Sequence, residues 1–156
     1  MTFTTFDPSD EGHRRFLEYL PTVPWKAGSY MHGIITEGKF HERFGQSARL
    51  YFVTDGDEQG AIAGFCALLE QDFAPVPEYR PWIAFMYVAP AYRGHRLSQA
   101  MVSFLEGRAL EQGWTEVHIL TRHHGLYEKY GYSLVRGMPS ERHGVDYIYV
   151  KELEGE

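Results

Sequence analysis

Residues 82–98 constrain the fold of this chain more than any other stretch. Trp82 to Val88 is a nearly unbroken apolar and aromatic run, the pattern of a strand buried on both faces. A tight basic loop, Ala89-Pro90-Ala91-Tyr92-Arg93-Gly94-His95-Arg96, follows it and leads into an amphipathic helix. Leu97, Ala100, Met101, Phe104, Leu105 and Ala109 recur at helical spacing on one face of that helix, and Gly113 supplies its stop. Another strand is expected over Glu116–Thr121. The loop aims backbone N–H groups, a helix N-terminus and the side chains of Arg93, His95 and Arg96 at one spot. A diphosphate, with several acceptor oxygens and about two negative charges, is what such a spot holds best. The competing reading is an ordinary strand-to-helix connection with solvated basic residues.

The remaining elements fit around this unit. Asp7-Pro8 reads as a helix start, with Asp7 as N-cap and Pro8 at the first helical position. His13, Phe16, Leu17 and Leu20 keep the helical spacing until Pro21 ends it. A second helix is expected from Trp25 to about Glu37, with Ala27, Tyr30, Met31, Ile34 and Ile35 on one face. Leu50 to Thr54 and Ala61 to about Leu69 flank the turn-rich Asp55–Gly60 and form the expected hairpin. The proline-rich segment from Ala74 to Pro81 should be a loop. A short helix around Leu126–Tyr130 ends at Gly131, and strands are expected near Tyr132–Val135 and Val145–Lys151. The result is one α/β domain over residues 1–156, built on a mixed sheet.

Composition narrows the class. At 156 residues and 44% hydrophobic, the chain has enough apolar mass for one core and is short for two. A net charge of −6 argues against a general nucleic-acid binder, since polyanion binding feeds on positive charge. No apolar run approaches the roughly 20 residues that span a bilayer, so no membrane partner is expected. Met1–Thr5 lacks the basic and apolar regions of a secretory leader, and the single Cys66 fits a reducing compartment. A cytoplasmic protein is the expectation. No H-x-x-x-H, HExxH or CxxC spacing is present, and no metal is expected.

A second motif lies about thirty residues after the loop: Gly125-Leu126-Tyr127-Glu128-Lys129-Tyr130-Gly131-Tyr132. With the loop, it resembles the acetyl-CoA site of the GNAT N-acetyltransferases, whose loop signature is Q/R-x-x-G-x-G/A. Here the matching run is Arg93-Gly94-His95-Arg96-Leu97-Ser98. Arg96 replaces the first signature glycine and Ser98 the final small residue, a mild change that suits a helix N-cap. If position 96 needs a left-handed backbone, arginine there is strained by ~1 kcal/mol or more. Otherwise its guanidinium adds a bidentate phosphate contact, which is the favoured expectation.

The resemblance implies a GNAT fold and direct acetyl transfer from acetyl-CoA to a primary amine. A GNAT-fold module that binds acyl-CoA without catalysis is the alternative. The implied cofactor contacts are the backbone of Met86, Tyr87 and Val88 and the loop residues Arg93, Gly94, His95, Arg96, Leu97 and Ser98. Tyr127 inherits the place beside the CoA sulfur. A phenol near 10 is a weaker acid than a thiol near 8.5, so full proton transfer is uphill by roughly 2 kcal/mol. Tyr127 is therefore expected to donate a hydrogen bond to the developing thiolate.

The family often takes its base from the fourth or fifth strand, yet Trp82–Val88 carries no carboxylate. The fifth offers Glu116 and His118. Glu70 is the expected base, with Asp72 beside it, and a solvated strand-end charge is the competing reading for both; His123 and His124 are further acceptors, against the reading of polar loop residues. The acceptor is expected to be a small-molecule or peptide amine, met by a wall containing Tyr19, Trp25, Tyr30 and Met31. The acidic surface mildly favours cationic acceptors. Homodimers recur among such enzymes.

Overall fold

A computed structural model describes residues 1–72, 76–140 and 144–154. Seven strands form one sheet in the order β1-β2-β3-β4-β5-β7-β6: β1 Thr2–Thr5, β2 Arg49–Thr54, β3 Ile62–Leu69, β4 Trp82–Val88, β5 Glu116–Thr121, β6 Ser133–Ser140 and β7 Gly144–Glu152. β4 and β5 are parallel, and the other neighbouring pairs are antiparallel.

Strand alternation divides the core into two layers. Leu50 and Phe52 of β2 face one side, with Phe65, Leu69 and Trp82. There they meet Phe16 of α1 (Arg14–Tyr19), Met31 of α2 (Lys26–Thr36) and Phe44 of α3 (Phe40–Phe44). Tyr51 and Val53 face the other side, against Leu97, Met101, Val102, Leu105 and Ala109 of α4 (Leu97–Glu111). The stripe expected on α4 holds except that Ala100 is exposed and Val102 is buried. Phe104 reaches past the sheet edge to stack on Phe3, 4.2 Å between centroids, which ties β1 to α4. No helix among the described residues is long and apolar enough to cross a membrane.

The hairpin of β2 and β3 forms as expected, with Tyr51 opposite Cys66. The first helix does not start at Pro8. The Asp7 carboxylate accepts the N–H and hydroxyl of Ser9, and Asp10 caps the following turn by accepting from Gly12 N–H at 2.8 Å. Long-range bonds set that later start. His13 Nδ1 accepts the Asp7 N–H, and its Nε2 meets Glu58 Oε1 at 2.8 Å on the β2–β3 turn. Pro21 sits inside a further 3-10 turn, Leu20–Thr22, instead of ending the helical path. β1 and α3 are additional to the elements anticipated. Of the expected loop, residues 74 and 75 lie outside the described residues, and the rest carries no strand or helix.

Candidate active site

The parallel pair at the centre of the sheet is short. β4 and β5 pair only at Trp82–His118 and Ile83–Ile119, although β4 runs on to Val88 and β5 to Thr121. A bulge explains the parting. The β3–β4 register jumps from Ala67–Ala84 to Phe65–Tyr87, so Phe85 and Met86 together oppose Cys66. Phe85 takes the extra step with a left-handed φ of 52°, and such bulges sharpen the local twist. The end of β4 therefore leaves β5. Ala89 N–H still donates to Ala63 O on the β3 side at 2.8 Å. Alternation turns the polar groups of Val88 the other way, into the gap, where its carbonyl accepts Arg93 Nε–H at 3.0 Å.

At the same end of β4, a 3-10 turn (Pro90–Tyr92) leads to Gly94 at φ 83° and Arg96 at φ 60°, ψ 27°. Arg96 is thus the N-cap of α4, with a left-handed backbone that glycine adopts more readily than arginine. The first alternative holds: position 96 needs a positive φ, and arginine meets it under strain. Ser98 is already inside the helix and is not its cap. Among the described residues no side chain caps α4 and no acid sits in its first turn, and Arg93, His95 and Arg96, just before it in the chain, are exposed. Buried Leu97 anchors the turn to the α4 layer. This donor set fits a diphosphate: unpaired helical N–H groups, a left-handed loop and cations. Replacing Arg96 with glycine should raise stability by about 1 kcal/mol, read as a higher Tm. An unchanged or lower Tm would mean that the arginine side chain repays its strain.

Tyr127 opens a 3-10 turn, Tyr127–Tyr130, six residues after the last residue of β5, at the end of the sheet where β4 and β5 part. Both flanks of the turn are pinned. Glu128 accepts Gly125 N–H and the Tyr149 hydroxyl, while the Tyr132 hydroxyl donates to Glu106 of α4 at 2.7 Å. Glu106 also pairs with Lys151 at 3.2 Å, and Gly131 closes the turn at φ 91°. Sequence reasoning missed Glu106, a charge embedded between the apolar positions of α4. Tyr127 itself is 9% exposed, and burial beside Tyr130 raises its phenol above the usual range. Its hydroxyl makes no hydrogen bond to any described residue, so it keeps its donor for something else.

The Acetyltransferase (GNAT) family model matches residues 15–132, covering α1, the central strands, the loop and the Tyr127 turn. This chain belongs to the GNAT acetyltransferase family. No curated protein matches it in sequence. Solved GNAT-type structures match its whole length. An aminoglycoside 6'-N-acetyltransferase complexed with coenzyme A has 14% identity and a TM-score of 0.70, covering 100% of this chain and 99% of that one. The aminoglycoside 6'-N-acetyltransferase from Enterococcus faecium has 15% identity and a TM-score of 0.71, with the same coverage, 100% and 99%. Ard1 from Thermoplasma volcanium has 16% identity and a TM-score of 0.69, covering 99% of this chain and 98% of that one. At such identities the likeness is one of fold.

Within this GNAT frame, Glu70 stands apart from the other candidates. It follows β3 at the Leu69–Trp82 pair, so it lies at the opposite end of β4 from Val88. Its Oε1 accepts Ser47 N–H at 2.6 Å and its Oε2 is 3.9 Å from Arg80. The Ser47 bond, helped by Arg80, holds its carboxyl below the usual range, which makes it a weaker base. Its stabilising effect is present above the unfolded carboxylate value and fades as pH falls through the lower folded value. Glu70→Gln should therefore lower Tm at pH 7, with the deficit shrinking below about pH 4. A deficit that stays constant down to pH 3 would contradict the charge-based account.

His118 is core. It is 1% exposed, stacks on Tyr79 at 5.0 Å and meets the Pro81 carbonyl through Nδ1 at 3.1 Å, and burial lowers its pKa. His124 is exposed and packs edge-on to Tyr147 at 5.2 Å. Cys66 is fully buried, and burial pushes its thiol up, so it holds no thiolate for an acyl-enzyme.

Proposed function

We propose that this protein moves an acetyl group from acetyl-CoA to a primary amine by direct attack within one ternary complex, as a single catalytic domain in the cytoplasm. The observation that carries the reading is the parting of β4 from β5 at Ile83, with the left-handed loop at the end of β4 and, in the turn that follows β5, a Tyr127 hydroxyl with no hydrogen-bond partner among the described residues. The solved aminoglycoside acetyltransferase with coenzyme A shares this fold and supports the choice of cofactor.

Acetyl-CoA, when bound, supplies a thioester whose carbonyl carbon accepts the amine lone pair, a C–N bond forming as the C–S bond breaks. The N–H groups opening α4, with Arg93, His95 and Arg96, hold the diphosphate. The gap-facing N–H of Val88, whose carbonyl is held by Arg93, offers the strand edge for the extended arm, with Met86 and Tyr87 beside it. Tyr127 donates to the sulfur as negative charge builds there. Its raised pKa keeps the phenol protonated through neutral pH, which suits a donor. The amine proton leaves through water. Glu70 is assigned to holding the α3–β2 connection through Ser47, not to proton transfer.

Saturating acetyl-CoA, at about 100 times Kd, stabilises by about 2.7 kcal/mol. For a chain of this length that raises Tm by roughly 5–10 °C. No shift at millimolar acetyl-CoA would sink the proposal. The absence of a carboxylate on β4 favours a second reading, an acyl-CoA-binding module. It predicts the same shift with no release of CoA to any amine.

A further inference from the structure

The bulge in β4 changes which side chains face α2. Trp82 and Ala84 point to the α1–α3 layer, and a regular strand would next send Phe85 to the α4 layer. The left-handed step instead returns Phe85 to the α1–α3 layer, and Tyr87 follows it there. Phe65, Phe85 and Tyr87 thus make one aromatic floor. Trp25 lies nearly parallel to Phe65 and Tyr87, at 15° and 13° and at centroid distances of 6.3 and 6.4 Å. Tyr30 lies nearly parallel to Phe85, at 8° and 6.5 Å. These two upper rings are not core: each is 39% exposed, whereas Met31, the residue after Tyr30, is fully buried.

A cation lies against the aromatic floor. The Arg93 guanidinium lies 5.8 Å from the Tyr87 ring, and Lys26, directly after Trp25, is exposed. Neither β4 nor α2 contains a carboxylate. A polycation would leave its hydration here with no carboxylate from either element to replace it. The net charge of −6 describes the whole surface and not this wall. Tyr127 packs in the α4-side cluster, so the sulfur it serves is held on that side, and an amine approaches from the layer that Trp25 and Tyr30 line.

We infer that the acceptor is an arylalkylamine, its ring held against Trp25 and Tyr30. This rests on the acetyl-transfer reading above and names its substrate class. The test measures CoA release by the full chain with 2-phenylethylamine, butylamine and spermidine. kcat/KM for 2-phenylethylamine should exceed the other two by about tenfold or more. Trp25→Ala should raise KM for 2-phenylethylamine about tenfold, leave KM for acetyl-CoA unchanged, and be largely rescued by Trp25→Phe. Spermidine as the preferred acceptor, or an equal rise in KM for all three amines, would overturn the inference. If no amine releases CoA, the transfer reading fails, and the ring site is judged by binding alone. 2-Phenylethylamine should then quench tryptophan fluorescence saturably in the wild type and not in Trp25→Phe. Absence of that quench would overturn the site itself.

Discussion

Tyr127→Phe should lower kcat by about two orders of magnitude, the usual cost of removing one preorganised donor from a developing negative charge. KM for acetyl-CoA should stay within about threefold, because the proposal gives the binding to diphosphate and strand-edge contacts. Tm should barely move. The Tyr127 hydroxyl has no hydrogen-bond partner among the described residues, so its loss strands no buried group, while the ring remains packed near Tyr130, Tyr132 and Tyr149. That split separates a role in chemistry from a role in packing. Equal losses of kcat and Tm would make Tyr127 a core residue. The raised phenol adds a second check: the alkaline limb of the wild-type pH profile should not be Tyr127 ionising below pH 10.

Gly64→Ala should be the most damaging small change in the sheet. Gly64 of β3 lies opposite Val88, and a Cβ there would stand 2.2 Å from the Tyr87 carbonyl oxygen and 2.7 Å from Met101 Cε. The methionine end can swing away. The carbonyl cannot, because it is backbone of β4, held by pairing with β3 on either side of the contact. The chain must part β3 from β4 there or push α4 outward, at a cost of about 3 kcal/mol, or roughly 6–12 °C in Tm. KM for acetyl-CoA should rise with it, since Val88 and the following loop move together. A Tm within 2 °C of wild type would show that β4 shifts freely, and would remove the rigid strand edge from the account.

What the sequence revealed follows from the range of the forces involved. The β2–β3 hairpin, β4, α4 and β5 were legible because each carries its own apolar run or helical period and its own turn or stop. β1 and α3 are too short to show a period, and β1 gains its order from outside itself, by pairing with β2 and stacking Phe3 on Phe104. The first helix was misplaced because the bonds from His13 to Asp7 and Glu58 override the local appeal of Asp7-Pro8. Strand order, with β7 between β5 and β6, is a tertiary fact with no local mark.

The candidate site divides in the same way. The basic loop and the Tyr127 turn were readable as contiguous motifs. The left-handed Phe85 was not, because phenylalanine carries no signal for such a backbone, and the aromatic floor it completes stayed hidden. Glu70 looked available as a strand-end acid. Only the Ser47 N–H in the fold shows it to be engaged.

Release of free CoA thiol from acetyl-CoA, followed with and without added primary amine, tests the central claim most directly. The account predicts amine-dependent release by the wild type, falling by about two orders of magnitude in Tyr127→Phe. Stabilisation by acetyl-CoA with no release above hydrolysis, whatever the amine, would contradict it.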